Sequence, residues 1–107
     1  MDWDQIFSEA CETGDLATVK KLSKVVTKRA LKEGLWISAQ NYEGNAPEDQ
    51  EDQFEIIKYL VEKKKINVKE FDDGLISGID SIKIGRYLIE KGLKCSSAYL
   101  LGFFHFI

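Results

Sequence analysis

One segment recurs three times in this chain and restricts its fold more than any other feature: Gly14-Asp15-Leu16 through Val19-Lys20-Lys21-Leu22, Gln53-Phe54 through Ile57-Lys58-Tyr59-Leu60, and Ser81-Ile82 through Gly85-Arg86-Tyr87-Leu88. The first two copies place apolar residues at positions one, four and seven, which is one stripe of an α-helix. The third has Gly85 at the middle position, and in all three a base follows it: Lys20, Lys58 or Arg86. Leu16 and Phe54 are 38 residues apart and Phe54 and Ile82 are 28 apart, a mean of 33. Helical units of that length stack in a row, because a lone helix pair cannot bury both of its apolar surfaces. The expectation is an all-α solenoid of short stacked helix pairs.

The local signals fill in that scheme. Trp3, Ile6, Phe7, Ala10 and Cys11 form one stripe of a first helix, 3–12, with Asp2 or Asp4 as its cap. Gly14 suits the left-handed geometry just past a helix end, and Asp15 suits the next start. A second helix, 16–24, is expected to bury Leu16, Val19 and Leu22. Thr27 caps a third, 28–41, with Ala30, Leu31, Leu35, Ile37, Ser38 and Ala39 facing inward. Gly34 inside it costs about 1 kcal/mol relative to Ala; alternatively it divides a turn at 28–33 from a helix beginning near Leu35.

Residues 41–53 read as a loop punctuated by Gly44 and Pro47. A helix of 51–64 follows, burying Phe54, Ile57, Leu60 and Val61 and ending in Lys63-Lys64-Lys65, where cations suit the negative end of the helix dipole. Asp73-Gly74 favours a tight turn, and a short helix at 75–79 comes next. Asp80 or Ser81 caps a helix from Ile82 that Gly92 stops. Ser96 or Ser97 caps a last helix from Ala98 to about His105. The chain is thus read as one domain, 1–107, with units of about 1–26, 27–67 and 68–95 and an incomplete 96–107.

These residues resemble the ankyrin repeat family. Phe7, Ala10, Cys11, Gly14, Asp15, Leu16, Val19 and Leu22 match that family's spacing best. Trp36, Ala39, Phe54, Ile57 and Leu60 look like the corresponding positions of a second unit, and Ile82, Leu88, Ile89, Glu90, Lys91 and Gly92 like the end of a third. The Thr-Pro-Leu-His opening of the family is absent throughout, so plain turns are expected in place of some of its hairpin-like fingers. The resemblance implies a concave surface of first helices and connection tips, used to hold a protein partner.

Composition sets the outer limits. A chain of 107 residues with 44% apolar and 31% charged residues fits one folded domain. Its net charge of −3 gives no electrostatic case for nucleic acid. The opening Met-Asp-Trp-Asp-Gln does not read as a secretory signal. The longest apolar run, 98–107, is far below the roughly 18 residues of a membrane span. A soluble cytoplasmic protein is expected, with Cys11 and Cys95 as reduced, buried thiols and a disulfide between them as the alternative.

Residues able to carry chemistry are few. Cys95 and His105 lack surroundings that would make a nucleophile and base of them. Cys11, Cys95 and His105 are too few and scattered for zinc, and Asp49, Glu51 and Asp52 lack the pattern of a calcium loop. Asp72, Asp73 and Asp80 sit where turn and cap roles explain them. No catalytic, cofactor or metal residue is assigned, and no enzyme activity is expected.

The expected function is therefore protein binding. Trp36 and Tyr42 are the first candidates, since aromatic side chains bring wide contact area at little entropic cost; for Trp36 a core position is the competing assignment. The acidic insertion, with Glu48, Asp49, Glu51 and Asp52, is the second, steering toward a basic partner. Six cations, Lys20, Lys21, Lys24, Lys28, Arg29 and Lys32, lie within thirteen residues without an acid, either as a solvated face or as a contact for an acidic surface. The rival function is self-association, a homodimer held by Phe103, Phe104 and Phe106 of the apolar last helix, or membership of a longer repeat protein.

Overall fold

Helix ends in this chain are set by side chains that take up the backbone groups each helix leaves unpaired. A computed structural model describes residues 2–41, 47–71 and 81–92. All the regular structure among them is helical, with five α-helices. The chain divides into two compact units, Met1–Ile66 and Asn67–Ile107.

In the first unit, α1 spans Trp3–Thr13 and α2 spans Leu16–Leu22. Asp2 caps α1 by accepting from the Gln5 N–H at 3.1 Å. Gly14 ends it at φ 83°, and the Asp15 N–H reaches back to the Ala10 carbonyl at 2.9 Å. This left-handed residue closes the first helix so tightly that Asp15 can open the second, accepting from the Thr18 N–H at 3.2 Å. Asp4, the other candidate cap for α1, serves a different helix. Its carboxylate accepts from the Thr27 N–H at 3.3 Å and from the Thr27 hydroxyl at 3.0 Å. Thr27 in turn accepts from the Ala30 N–H at 3.1 Å, as its position before α3 implied.

The α3 helix, Lys28–Asn41, runs unbroken through Gly34. Gly34 is where α3 meets α1: a Cβ there would stand 2.7 Å from Phe7 Cε2 and 3.0 Å from Cys11 Sγ. Contacts pair Asp4 with Thr27, then Phe7 and Cys11 with Gly34, then Cys11 with Ser38. The numbers rise together, so α1 and α3 run in the same direction.

The α4 helix begins at Pro47 and continues to Lys58. The acidic insertion is therefore no loop: Glu48, Asp49, Glu51 and Asp52 belong to the opening turns of a helix. Proline is well placed in a first turn, where its missing N–H has no intrahelical partner in any case. Glu48 and Asp49 fall in its first turn, where the dipole favours acids, and Glu51 and Asp52 in the second.

The helix widens into a π-helical turn at Tyr59–Lys63, with the Lys64 N–H bonded to the Tyr59 carbonyl at 3.1 Å. Lys65 leaves it at φ 60°, the only non-glycine among the described residues with positive φ. A left-handed conformation costs an L residue roughly 1–2 kcal/mol. Lys65→Gly is therefore expected to raise stability by about 0.5 kcal/mol after the glycine's extra unfolded-state entropy is subtracted. A thermal melt that falls on this substitution would contradict that account.

The core of this unit is Phe7, Ala10, Cys11, Val19, Leu22, Ala30, Leu31, Leu35, Ala39, Ile56, Ile57 and Leu60. The recurring segment is graded. Its middle and last positions, Val19 and Leu22 or Ile57 and Leu60, are buried, while its first, Leu16 or Phe54, is half-buried. Ile37 and Val61, expected inside, are half-buried, and Ile56, which the recurring pattern passes over, is fully buried.

In the second unit a 3-10 turn, Val68–Glu70, is capped by Asn67, which accepts from the Lys69 N–H at 3.0 Å. The α5 helix spans Ile82–Glu90, and Ser81 rather than Asp80 caps it, accepting from the Ile84 N–H at 3.3 Å. Val68, Ile84 and Leu88 are buried. Tyr42, the helix expected at 75–79 and the last helix with Phe103, Phe104 and Phe106 lie outside the described residues. Among the described residues no helix is long and apolar enough to cross a membrane.

Candidate protein-binding surface

The inward stripe of α3 decides which of its side chains can meet a partner. Ala30, Leu31, Gly34, Leu35, Ser38 and Ala39 are all buried. They recur at three and four residues and occupy one side of the helix. Trp36 falls on the other side and is 46% exposed. Its neighbour Leu35, at 0%, takes the core position to which the family spacing pointed for Trp36. Arg29, Lys32, Glu33 and Gln40 share the outer side with Trp36 by helical spacing, and Arg29 Nε is held by Glu33 Oε1 at 3.0 Å.

Of the acidic candidates, Glu51 and Asp52 are exposed on α4. No hydrogen bond, ion pair or ring contact among the described residues joins either of them to Trp36.

Behind these surfaces lies a buried polar junction that the hydrophobic pattern does not disclose. The Cys11 carbonyl belongs to the last turn of α1, where carbonyls have no intrahelical donor. It accepts from Ser38 Oγ of α3 at 3.4 Å and from Gln53 Nε2 of α4. Gln53 is fully buried and Phe54 beside it is half-buried, the reverse of what apolarity predicts. The signal available was spacing: residues 53, 56, 57 and 60 span about 100° of the helix, against about 120° for 54, 57, 60 and 61. No buried side-chain nitrogen or oxygen among the described residues lacks a partner.

A groove of about 210 Å³ is lined by Lys20 of α2, Glu55 and Lys58 of α4, and Tyr59, Glu62 and Lys63 of the π-helical turn. Ser23 and Tyr59 hydroxyls share a hydrogen bond at 2.9 Å, which ties the end of α2 to the end of α4. Lys20 Nζ stands 5.8 Å from the Tyr59 ring centre. Lys58 Nζ donates to Glu55 Oε1 at 2.7 Å, and that bond, with smaller help from Glu62 and Glu51, raises the Lys58 ammonium above its ordinary value. The groove thus holds cations and anions that already answer one another.

Burial pushes the Cys11 thiol up to about 12, with a lesser opposing contribution from Ser38. The thiol therefore stays protonated at neutral pH, and a nucleophile needs the thiolate. Among the described residues no group of three or more His, Cys, Asp or Glu is placed to hold a metal ion. Cys95, His105, Asp72, Asp73 and Asp80 lie outside the described residues. Neither a family model, nor a curated protein, nor a solved structure matches this chain.

Proposed function

We propose that this chain is a non-enzymatic protein-interaction module of ankyrin-like helix pairs, binding a protein partner through the outer face of α3. The observation that carries the reading is Trp36, a large apolar side chain 46% exposed in the middle of a helix. Exposing an indole there does nothing for the core, whereas tryptophan is the residue type most enriched at the energetic centres of interfaces. The ankyrin-like part is supported by the tight α1–α2 turn at Gly14, the parallel α1 and α3, and the packing of α2 against α4. In that arrangement the outer side of α3 is the face the family resemblance makes concave. The exposed acids Glu51 and Asp52, with Glu48 and Asp49 before them in α4, supply a second contact that favours a basic neighbour on the partner.

A photo-crosslinking residue introduced at Gln40, one turn from Trp36, would identify the partner in the native cell. With the purified partner, Trp36→Ala is expected to weaken binding by roughly tenfold or more. It should change folding stability by no more than about 1 kcal/mol, because the side chain is half in solvent. Unchanged affinity would remove the α3 face from the binding site.

A further inference from the structure

The six cations between residues 20 and 32 are not equivalent once the fold is known. Lys20 stands by the Tyr59 ring, Arg29 is paired with Glu33, and Lys32 is half-buried. Lys21, Lys24 and Lys28 remain exposed, with no ion pair among the described residues. In the sequence they flank Val25, the most exposed large apolar residue of those described, at 61%.

Backbone geometry holds the group together. The chain continues helically past α2, with the Ser23 N–H bonded to the Val19 carbonyl at 2.9 Å and the Val25 N–H to the Leu22 carbonyl at 2.9 Å. Lys21, Lys24 and Val25 therefore fall at i, i+3 and i+4 and share a side. Buried Ser23 fixes the turn from below, donating to the Lys20 carbonyl at 2.9 Å and bonded to Tyr59. Lys28 opens α3 three residues beyond Val25.

Folding accounts for only part of this arrangement: Lys21 lies in the last turn of α2, where a cation suits the negative end of the dipole. Lys28 and Arg29 lie at the positive end of the α3 dipole, the unfavourable sign, although Asp4 brings one carboxylate to Thr27 at that end. Three unpaired cations around one aliphatic group also repel each other, without burying that group. An acidic ligand would relieve that repulsion, and an apolar group on it would cover Val25.

We infer that Lys21, Lys24, Val25 and Lys28 form a docking surface for a short acidic segment of a partner protein that carries an aliphatic side chain among its carboxylates. The surface is small and positive on a chain of net charge −3. A nucleic acid backbone would run beyond it onto acidic surface, whereas a short peptide ends where the cations do. Val25 adds a contact that phosphate does not use. This surface is additional to the Trp36 face, and the two are tested by different substitutions.

The experiment is fluorescence anisotropy of a labelled dodecapeptide of repeated Glu-Leu-Asp-Glu, titrated with the whole chain, beside a short labelled duplex DNA at the same salt. Combined Lys21→Glu, Lys24→Glu and Lys28→Glu is expected to weaken the peptide by roughly tenfold or more, since like charges then face each other. Val25→Ser, which leaves every charge in place, is expected to cost roughly threefold or more from the lost apolar contact. Trp36→Ala should leave this binding unchanged, so that failure here and failure of the α3 reading are told apart. All the substitutions are at exposed positions, and circular dichroism checks that each variant is folded. Equal peptide affinity in the charge-reversed chain would overturn the inference. So would a Val25→Ser variant that binds as before, or duplex DNA binding more tightly than the peptide.

Discussion

Phe7→Ala is expected to destabilise the chain by about 3–5 kcal/mol. Phe7 is fully buried, and its ring lies against the backbone of α3 at Gly34. Removing the ring empties the place where α1 and α3 come closest, and a glycine opposite it has no side chain with which to fill the gap. Domains of this size are stable by about 5–15 kcal/mol, so urea denaturation should show a large fall in midpoint.

The same contact makes an opposite-signed test. Gly34→Ala gains about 1 kcal/mol of helix propensity. The new Cβ would stand 2.7 Å from Phe7 Cε2, however, and overpacking of that kind costs about 1–3 kcal/mol. The net expectation is a loss of about 1 kcal/mol, reduced or reversed when Phe7→Leu makes room. If Gly34→Ala stabilised the otherwise unaltered chain, the close approach of the two helices would be wrong.

The second large effect is at Gln53. Gln53→Leu keeps the volume but leaves the Cys11 carbonyl with Ser38 at 3.4 Å as its donor. Losing the better of two bonds to a buried acceptor costs about 0.5–1.5 kcal/mol, and about 1 kcal/mol is expected. Gln53→Glu should be worse at neutral pH, above about 3 kcal/mol, because a buried carboxylate would face a carbonyl oxygen. Its pH dependence is diagnostic. Burial raises the folded-state value of such a carboxyl, so the folded chain binds a proton more readily than the unfolded one. Stability of this variant should therefore rise as pH falls from neutrality toward about 4.3, the ordinary glutamate value, where the protonated acid donates to Cys11 as the amide did. A flat profile between Gln53→Glu and Gln53→Leu would mean that residue 53 does not face that carbonyl.

Gln53 also shows why a helix can be legible while its inner face is not. Apolar periodicity weighs each residue by its own polarity and selects Phe54. A buried amide is favourable only because a carbonyl 42 residues earlier waits for it, and a pattern within one helix holds no record of that partner. The start of α4 was hidden for a related reason: Pro47 reads as an interruption, yet in a first turn it interrupts nothing. Trp36 sits in Leu35-Trp36-Ile37, three apolar residues in succession, and a continuous run cannot choose its own inner face.

Local chemistry, in contrast, was decisive wherever a helix end depends on neighbours. Asp15, Thr27 and Ser81 cap the helices that follow them, and Gly14 ends the one before it, because those bonds span four or five residues. By itself, then, the amino-acid sequence determined that the described residues are helical, where most of their helices begin and end, and which residues form the middle of each recurring segment. Tertiary structure alone decided that Asp4 holds Thr27 at the start of α3, that Gly34 admits Phe7, that Gln53 turns inward and Trp36 outward, and that Lys21, Lys24 and Lys28 lack counter-charges among the described residues. Each of these depends on a group far along the chain, and distance in sequence says nothing about distance in space.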